Sequence, residues 1–122
     1  MNFKVVPKLL SIAAILVASS GIVVSQTQAP TTIEIHVKRY AFEPAEITLK
    51  KGEPVKLEVI SDDVTHSLRI DGLKVNLKVP AGTTADTVIT PQETGDFAGK
   101  CGVFCGLGHG KMKFTVHVVD GK

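Results

Sequence analysis

Thr31-Thr32-Ile33-Glu34-Ile35-His36-Val37-Lys38 alternates apolar and polar side chains residue by residue. That period of two is the mark of a strand with one face in a core and one in water. The same rhythm recurs along the chain. Ile47 and Leu49 carry it, and Val55, Leu57 and Val59 alternate with Lys56 and Glu58. His66, Leu68 and Ile70 stand against Ser67 and Arg69, and Leu73, Val75, Leu77 and Val79 against Lys74, Asn76 and Lys78. Thr84 to Thr90, a short run before Cys101, and Phe114, Val116 and Val118 complete the set. Tyr40 to Pro44, Lys51-Gly52-Glu53-Pro54, Pro80-Ala81-Gly82 and Pro91 to Asp96 read as breaks or turns, and Asp71-Gly72 as a two-residue hairpin turn. No amphipathic helix of useful length is visible. Seven or eight short strands at this spacing predict an all-β sandwich or barrel of about 90 residues.

The chain has 122 residues, and residues 1–29 are expected to lie outside the fold, with residues 30–122 forming one domain. Lys4 and Lys8 precede an apolar run from Leu9 to Val24, followed by Ser-Gln-Thr-Gln-Ala. This is the layout of a secretory signal peptide. Pro30 directly after Ala29 is a poor neighbour for cleavage, so a retained single membrane anchor is the other reading. Both place residues 31–122 in the periplasm or on the outer face of the cytoplasmic membrane, because the lysines precede the apolar run. With Lys4 and Lys8 set aside, twelve basic side chains balance twelve acidic ones. The sequence shows no basic stripe or stacking platform, which argues against a nucleic-acid partner.

Between positions 101 and 112 the chain reads Cys-Gly-Val-Phe-Cys-Gly-Leu-Gly-His-Gly-Lys-Met. Two thiols, an imidazole and a thioether form a soft donor set that favours copper over magnesium or calcium. Cys101, Cys105 and His109 could share one helix face, but the glycines crowding the stretch each cost about 1 kcal/mol in a helix interior. A bent loop gathering its donors around one point is the better reading. His66 is the candidate for one more nitrogen. It shares parity with Leu68 and Ile70, so it points to the apolar side, where an unpartnered imidazole is costly. No general acid or base stands beside the motif, and no bond chemistry is expected from this chain.

Ser61-Asp62-Asp63-Val64-Thr65-His66-Ser67, followed by Cys-x3-Cys-Gly-Leu-Gly-His-x2-Met, resembles the CuA domain of cytochrome c oxidase subunit II. The short single-span subunits of the B-type heme–copper oxidases are the nearest likeness. The resemblance implies a Greek-key cupredoxin sandwich holding two copper ions. On the family pattern Cys101 and Cys105 bridge both ions, His66 and His109 cap one each, Met112 is a weak ligand, and the backbone carbonyl of Val103 completes the set. The family usually carries Glu or Gln at that carbonyl position, and Leu68 stands where many members have an aromatic residue near the donor-facing surface. Val103 keeps the carbonyl and loses a polar side chain, which bears on tuning and not on metal binding. Phe104 and Leu107 are expected to form an apolar lid over the centre.

The implied role is electron transfer, with a cytochrome c or small redox protein as donor. The domain would be the electron-accepting subunit of a heme–copper oxidase, partnered by subunit I, or a free-standing periplasmic relay. It would touch the membrane if the N-terminal segment is kept. Other readings stay open. A mononuclear blue-copper carrier needs one Cys, two His and an axial Met, and leaves a cysteine spare. A copper chaperone for oxidase assembly fits the donor types, but the chain has only Met1 and Met112. Cys101 and Cys105 could also simply form a disulfide. His36 and His117 lie outside any motif and read as solvated.

Overall fold

The computed structural model describes residues 20–21 and 29–121, so nearly all of the segment read as a signal or anchor lies outside the described residues. The strands are β1 (Thr31–Lys38), β2 (Ala41–Glu43), β3 (Glu46–Lys50), β4 (Val55–Ser61), β5 (His66–Ile70), β6 (Val75–Val79), β7 (Thr84–Ile89), β8 (Gly95–Lys100) and β9 (Lys113–Val119). Among the described residues they form two sheets, ordered β2-β1-β4-β7 and β3-β9-β8-β5-β6. The all-β sandwich expected from the alternation is what forms. No helix of the described residues is long and apolar enough to cross a membrane.

Two local readings change. The extra strand is β2, inside the stretch read as a break. Phe42 pairs with Val37 there and is buried, so three residues suffice to extend the sheet. The Asp71-Gly72 signal is also not a two-residue hairpin. Asp71–Leu73 form a 3-10 turn closed by Lys74 at φ 56°, whose N–H donates to the Asp71 carbonyl. That moves Leu73 out of the strand, and β6 begins at Val75.

Each sheet contains one parallel pair, β1 with β4 and β3 with β9, among antiparallel neighbours. Parallel neighbours require a crossover, and the chain makes it by leaving the first sheet after β2 and entering the second at β3. The inward residues of both sheets meet in one core. Ile35, Leu57, Val59, Leu68, Ile70 and Val116 are fully buried, and the Phe42 and Phe114 rings sit 5.6 Å apart with planes tilted by 57°.

The registers give the sandwich two poles. At one lie the connections β1–β2, β4–β5, β6–β7 and β8–β9. They are tied together by Ser61 N–H to the Thr83 carbonyl at 2.9 Å and Ala81 N–H to Thr65 Oγ1 at 3.2 Å. At the other, β1 starts and β9 ends, Lys51 N–H donates to the Val119 carbonyl, and Gly52 N–H to that of Pro91. The ligand motif is wholly at the first pole.

Truncation of Phe114 to alanine should lower unfolding free energy by about 3–5 kcal/mol in urea titration. Its coupling to Phe42 in a double-mutant cycle should be about 0.5–1.5 kcal/mol. A loss below about 1 kcal/mol would contradict the assignment of this pair to the centre of the core.

Candidate metal centre

Lys100 ends β8 and Lys113 begins β9, and these two are paired across the ladder. The twelve residues of the motif therefore leave and rejoin the sheet at adjacent points, and must fold back over it. A 3-10 turn at His109–Lys111 brings the chain down to Met112. The loop has its back against β5, where Gly102 N–H donates to the buried Ser67 hydroxyl at 2.6 Å.

The six groups named from the sequence converge. Cys101 Sγ and Cys105 Sγ are 3.7 Å apart and both thiols are free. Cys101 Sγ lies 3.9 Å from His66 Nδ1 and 3.2 Å from the Val103 carbonyl oxygen. Cys105 Sγ lies 3.8 Å from His109 Nδ1 and 3.3 Å from Met112 Sδ. Cys101, Cys105, Met112 and His66 are buried, and His109 is half-buried. The donor atoms of His66, Cys101 and Cys105 all fall within 4.8 Å of one another, a spacing that could hold a metal ion.

A second layer of residues orients these donors, and the motif reading did not include it. Asp63 Oδ1 sits 2.6 Å from His66 Nε2, so a proton on Nε2 leaves the Nδ1 lone pair facing Cys101. Burial pushes the Asp63 carboxyl up, but the Arg39 N–H, His66 and the Val64 N–H together hold it below its ordinary value. Arg39 also reaches the motif loop directly, donating Nε–H to the Cys105 carbonyl at 3.2 Å. One residue thus braces both ligand loops. Its neighbour Tyr40 lies on the loop backbone: a Cβ built at Gly108 would sit 2.6 Å from the Tyr40 ring, and Gly106, at φ 139°, has no room for one beneath the phenol. The Asp-Asp pair before His66 was the available sequence signal for Asp63. Nothing local in the sequence announced Arg39 or Tyr40.

Burial, with Cys101 alongside, pushes the Cys105 thiol up to about 11. Two neighbouring thiolates in this pocket therefore call for a bound cation, and metal binding must release their protons. The side chains gathered here, two thiols, two imidazoles and a thioether beside a carbonyl, are of the soft type that suits copper.

Two expectations around the centre are revised. Phe104 leans towards His109 with ring centroids 6.0 Å apart, yet it is 76% exposed, and Leu107 is 98% exposed. They crown the loop and do not close over it, because the glycine-rich chain turns them outward. Leu68 is fully buried in the core, not at a surface. His36 and His117 are solvent-facing as expected, but each is held by carboxylates. His36 sits between Asp62 at 2.9 Å and Glu34 at 2.7 Å, and His117 lies 2.6 Å from Asp96. A larger cavity of about 500 Å³, lined by Leu73, Val75, Ile89 and Phe97 among others, lies towards the opposite pole and gathers none of these donors.

The sequence profile of the cupredoxin-like domain family matches residues 8–116, and the chain belongs to that family. It is 29% identical over 93 residues to a cytochrome c oxidase subunit 2 of Thermus thermophilus, covering 75% of this chain and 69% of that one. Identity to a probable cytochrome c oxidase subunit 2 of Streptomyces avermitilis is 38% over 72 residues, 59% of this chain but only 23% of that protein's length. Among solved structures, the periplasmic domain of subunit II of cytochrome oxidase of Bradyrhizobium japonicum superposes with a TM-score of 0.69 at 19% identity. That match covers 77% of this chain and 87% of that one. The chain is thus similar to the CuA cupredoxin domain of subunit II, as its motifs indicated.

Gly106→Ala should destabilise the domain by about 1–3 kcal/mol, since an L side chain meets both an unfavourable φ and the Tyr40 ring. Urea unfolding checks this, and a neutral result would mean that the loop does not rest on Tyr40. His36 offers a pH test. Asp62 first, then Glu34, raise its pKa from 6.5. Its contribution to stability is full below that unfolded value and is lost as pH rises through the higher folded one. Between about pH 6 and 8 the urea midpoint of His36→Gln should vary less than that of the wild type. Parallel curves would exclude the linkage.

Proposed function

We propose that this member of the cupredoxin-like family is an exported electron-transfer domain whose loop holds two copper ions between Cys101 and Cys105. The observation that carries the reading is the division of the donors into two equal halves. His66 and the Val103 carbonyl flank Cys101, while His109 and Met112 flank Cys105, and the two sulfurs face each other at 3.7 Å. A single-ion blue site would use one cysteine and leave the second thiol without a function. Six donors shared between two ions also leave no coordination position for a substrate, which favours a relay over an enzyme.

When bound, such a copper pair supplies one-electron storage. The chain's part is to hold the donors still. His66 is fixed by Asp63, Cys105 by the Arg39 bond to its carbonyl, and Cys101 by the Gly102–Ser67 bond beside it. Ligands that cannot relax make transfer fast at small driving force. Similarity to oxidase subunit II supports a place at the outer face of the membrane, passing electrons towards a heme–copper oxidase subunit I. A cytochrome c or another small redox protein would be the donor.

The reconstituted protein should bind two coppers per chain and give a purple, delocalised mixed-valence EPR signal. One copper with a blue, four-line spectrum would replace this reading with the mononuclear one. Cys105→Ser should abolish the mixed-valence signal, whereas Met112→Leu should retain copper with a shifted potential. An unchanged spectrum in Cys105→Ser would remove its bridging role.

A further inference from the structure

The sequence has no basic stripe, but the fold assembles one. Register pairs Lys113 with Lys100 across β9 and β8, and Lys100 with Arg69 across β8 and β5. Residues directly opposite in a ladder point to the same face, and all three are exposed. Three cations therefore lie side by side on the outer face of the five-stranded sheet. Like charges in directly opposed positions are destabilising. Asp71 offsets them in part, its Oδ1 accepting from Arg69 Nε at 2.7 Å, while Asp96 and Glu46 on the same face are engaged by His117. Lys78 continues the face on β6, opposite Ser67, and Lys111 stands in the ligand loop next to Met112. Among the described residues, Lys78, Lys100, Lys111 and Lys113 have no carboxylate within ion-pair distance, while Asp62, Asp63 and Glu43 at this pole are engaged by His36, His66 and Lys38.

The ladder abuts the ligand loop: a Cβ at Gly102 would lie 3.3 Å from Arg69 Cβ. The loop in turn carries the most exposed large apolar side chains of the described residues, Leu107 at 98% and Phe104 at 76%, with Tyr40 at 40% beside them. An apolar crown over a partly buried donor, flanked by unneutralised lysines, has the form of an interface with a wet, charged rim. Both the start of β1 and the end of β9 lie at the opposite pole, so this surface is clear of the domain's own ends.

We propose that this pole docks a soluble redox protein with an acidic face, its contact centred on Phe104 and Leu107 and steered by Lys78, Lys100, Lys111 and Lys113. The inference rests on the electron-transfer reading and names the charge of its partner. In the step, one electron would pass from the partner's reduced redox centre to the copper that the loop donors and His66 would hold, oxidising the one and reducing the other. No bond is made or broken and no proton moves.

Stopped-flow reduction of the copper-loaded domain tests this with two probes, an acidic plant-type ferredoxin and lysine-rich cytochrome c, each pre-reduced. The ferredoxin rate constant should fall by about tenfold or more as salt rises from about 0.01 to 0.15 M, and the cytochrome c rate should rise. Lys100→Glu/Lys113→Glu should slow ferredoxin by about tenfold at low salt and reverse its salt dependence, with an unchanged copper spectrum. Leu107→Asp should slow both probes. Faster reaction with cytochrome c at low salt, or rates independent of salt, would overturn the proposal while dithionite still reduces the centre. A centre that dithionite cannot reduce would instead bring down the electron-transfer reading, and this proposal with it. Tight, lysine-dependent binding to phosphatidylglycerol vesicles with no preference for ferredoxin would assign the basic face to lipid and refute the protein partner.

Discussion

The backbone pairing of positions 100 and 113 at the top of the β8–β9 ladder, which does not depend on their side chains, is the constraint on which the centre depends. It fixes the two ends of the motif loop one strand spacing apart, about 5 Å. Everything between must return on itself, and the return places Cys101 and Met112 at the base with Cys105 and His109 above. The glycines follow from the same requirement. Gly102 must pass Ser67 and Arg69 closely, and Gly106 and Gly108 must pass beneath Tyr40. A longer or unpaired connection would carry the same donors without holding them to one geometry.

The second constraint is burial. A fully buried imidazole and two buried thiols cost stability unless their polar atoms find partners. Among the described residues every buried side-chain nitrogen and oxygen does. Asp63 satisfies the outer nitrogen of His66 and is itself held by two backbone N–H groups, from Arg39 and Val64. The thiols lie nearest the Val103 carbonyl and the Met112 thioether, with each other and the imidazoles farther off. The same packing that excludes water limits how far a ligand can move when the charge of a bound ion changes.

Much of this could be read from the residues. Alternation in Ile33–Val37, Val55–Val59 and Phe114–Val118 reports burial on one face, which is a local property. The loop donors were legible for the same reason, all lying within one stretch of twelve residues. His66 is 35 residues from Cys101, and its parity and the family likeness identified it where spacing could not. What was missed is non-local or conformational. The parallel β1–β4 and β3–β9 pairings are set by crossovers that leave no periodic trace. Arg39 meets Cys105 across 66 residues. The direction of Phe104 and Leu107 depends on glycine torsions, which composition alone does not fix. The basic ladder is the clearest case, since Arg69, Lys100 and Lys113 are scattered in sequence and adjacent only after folding.

The polarity of the sandwich then limits how the domain can be used. β1 runs eight residues from Thr31 at one pole to Lys38 at the other, a rise of about 23 Å. Any anchor preceding Thr31 would join the domain at the pole remote from the copper loop. A tether there would present the ligand loop away from the bilayer unless the domain lay on its side. A carrier in solution meets that pole directly, whereas a membrane-embedded acceptor meets it only if the domain tilts. The crown of Phe104 and Leu107, the lysines that lack a carboxylate partner among the described residues, and the distance from the start of β1 and the end of β9 thus favour the same direction of approach, from solvent onto the loop.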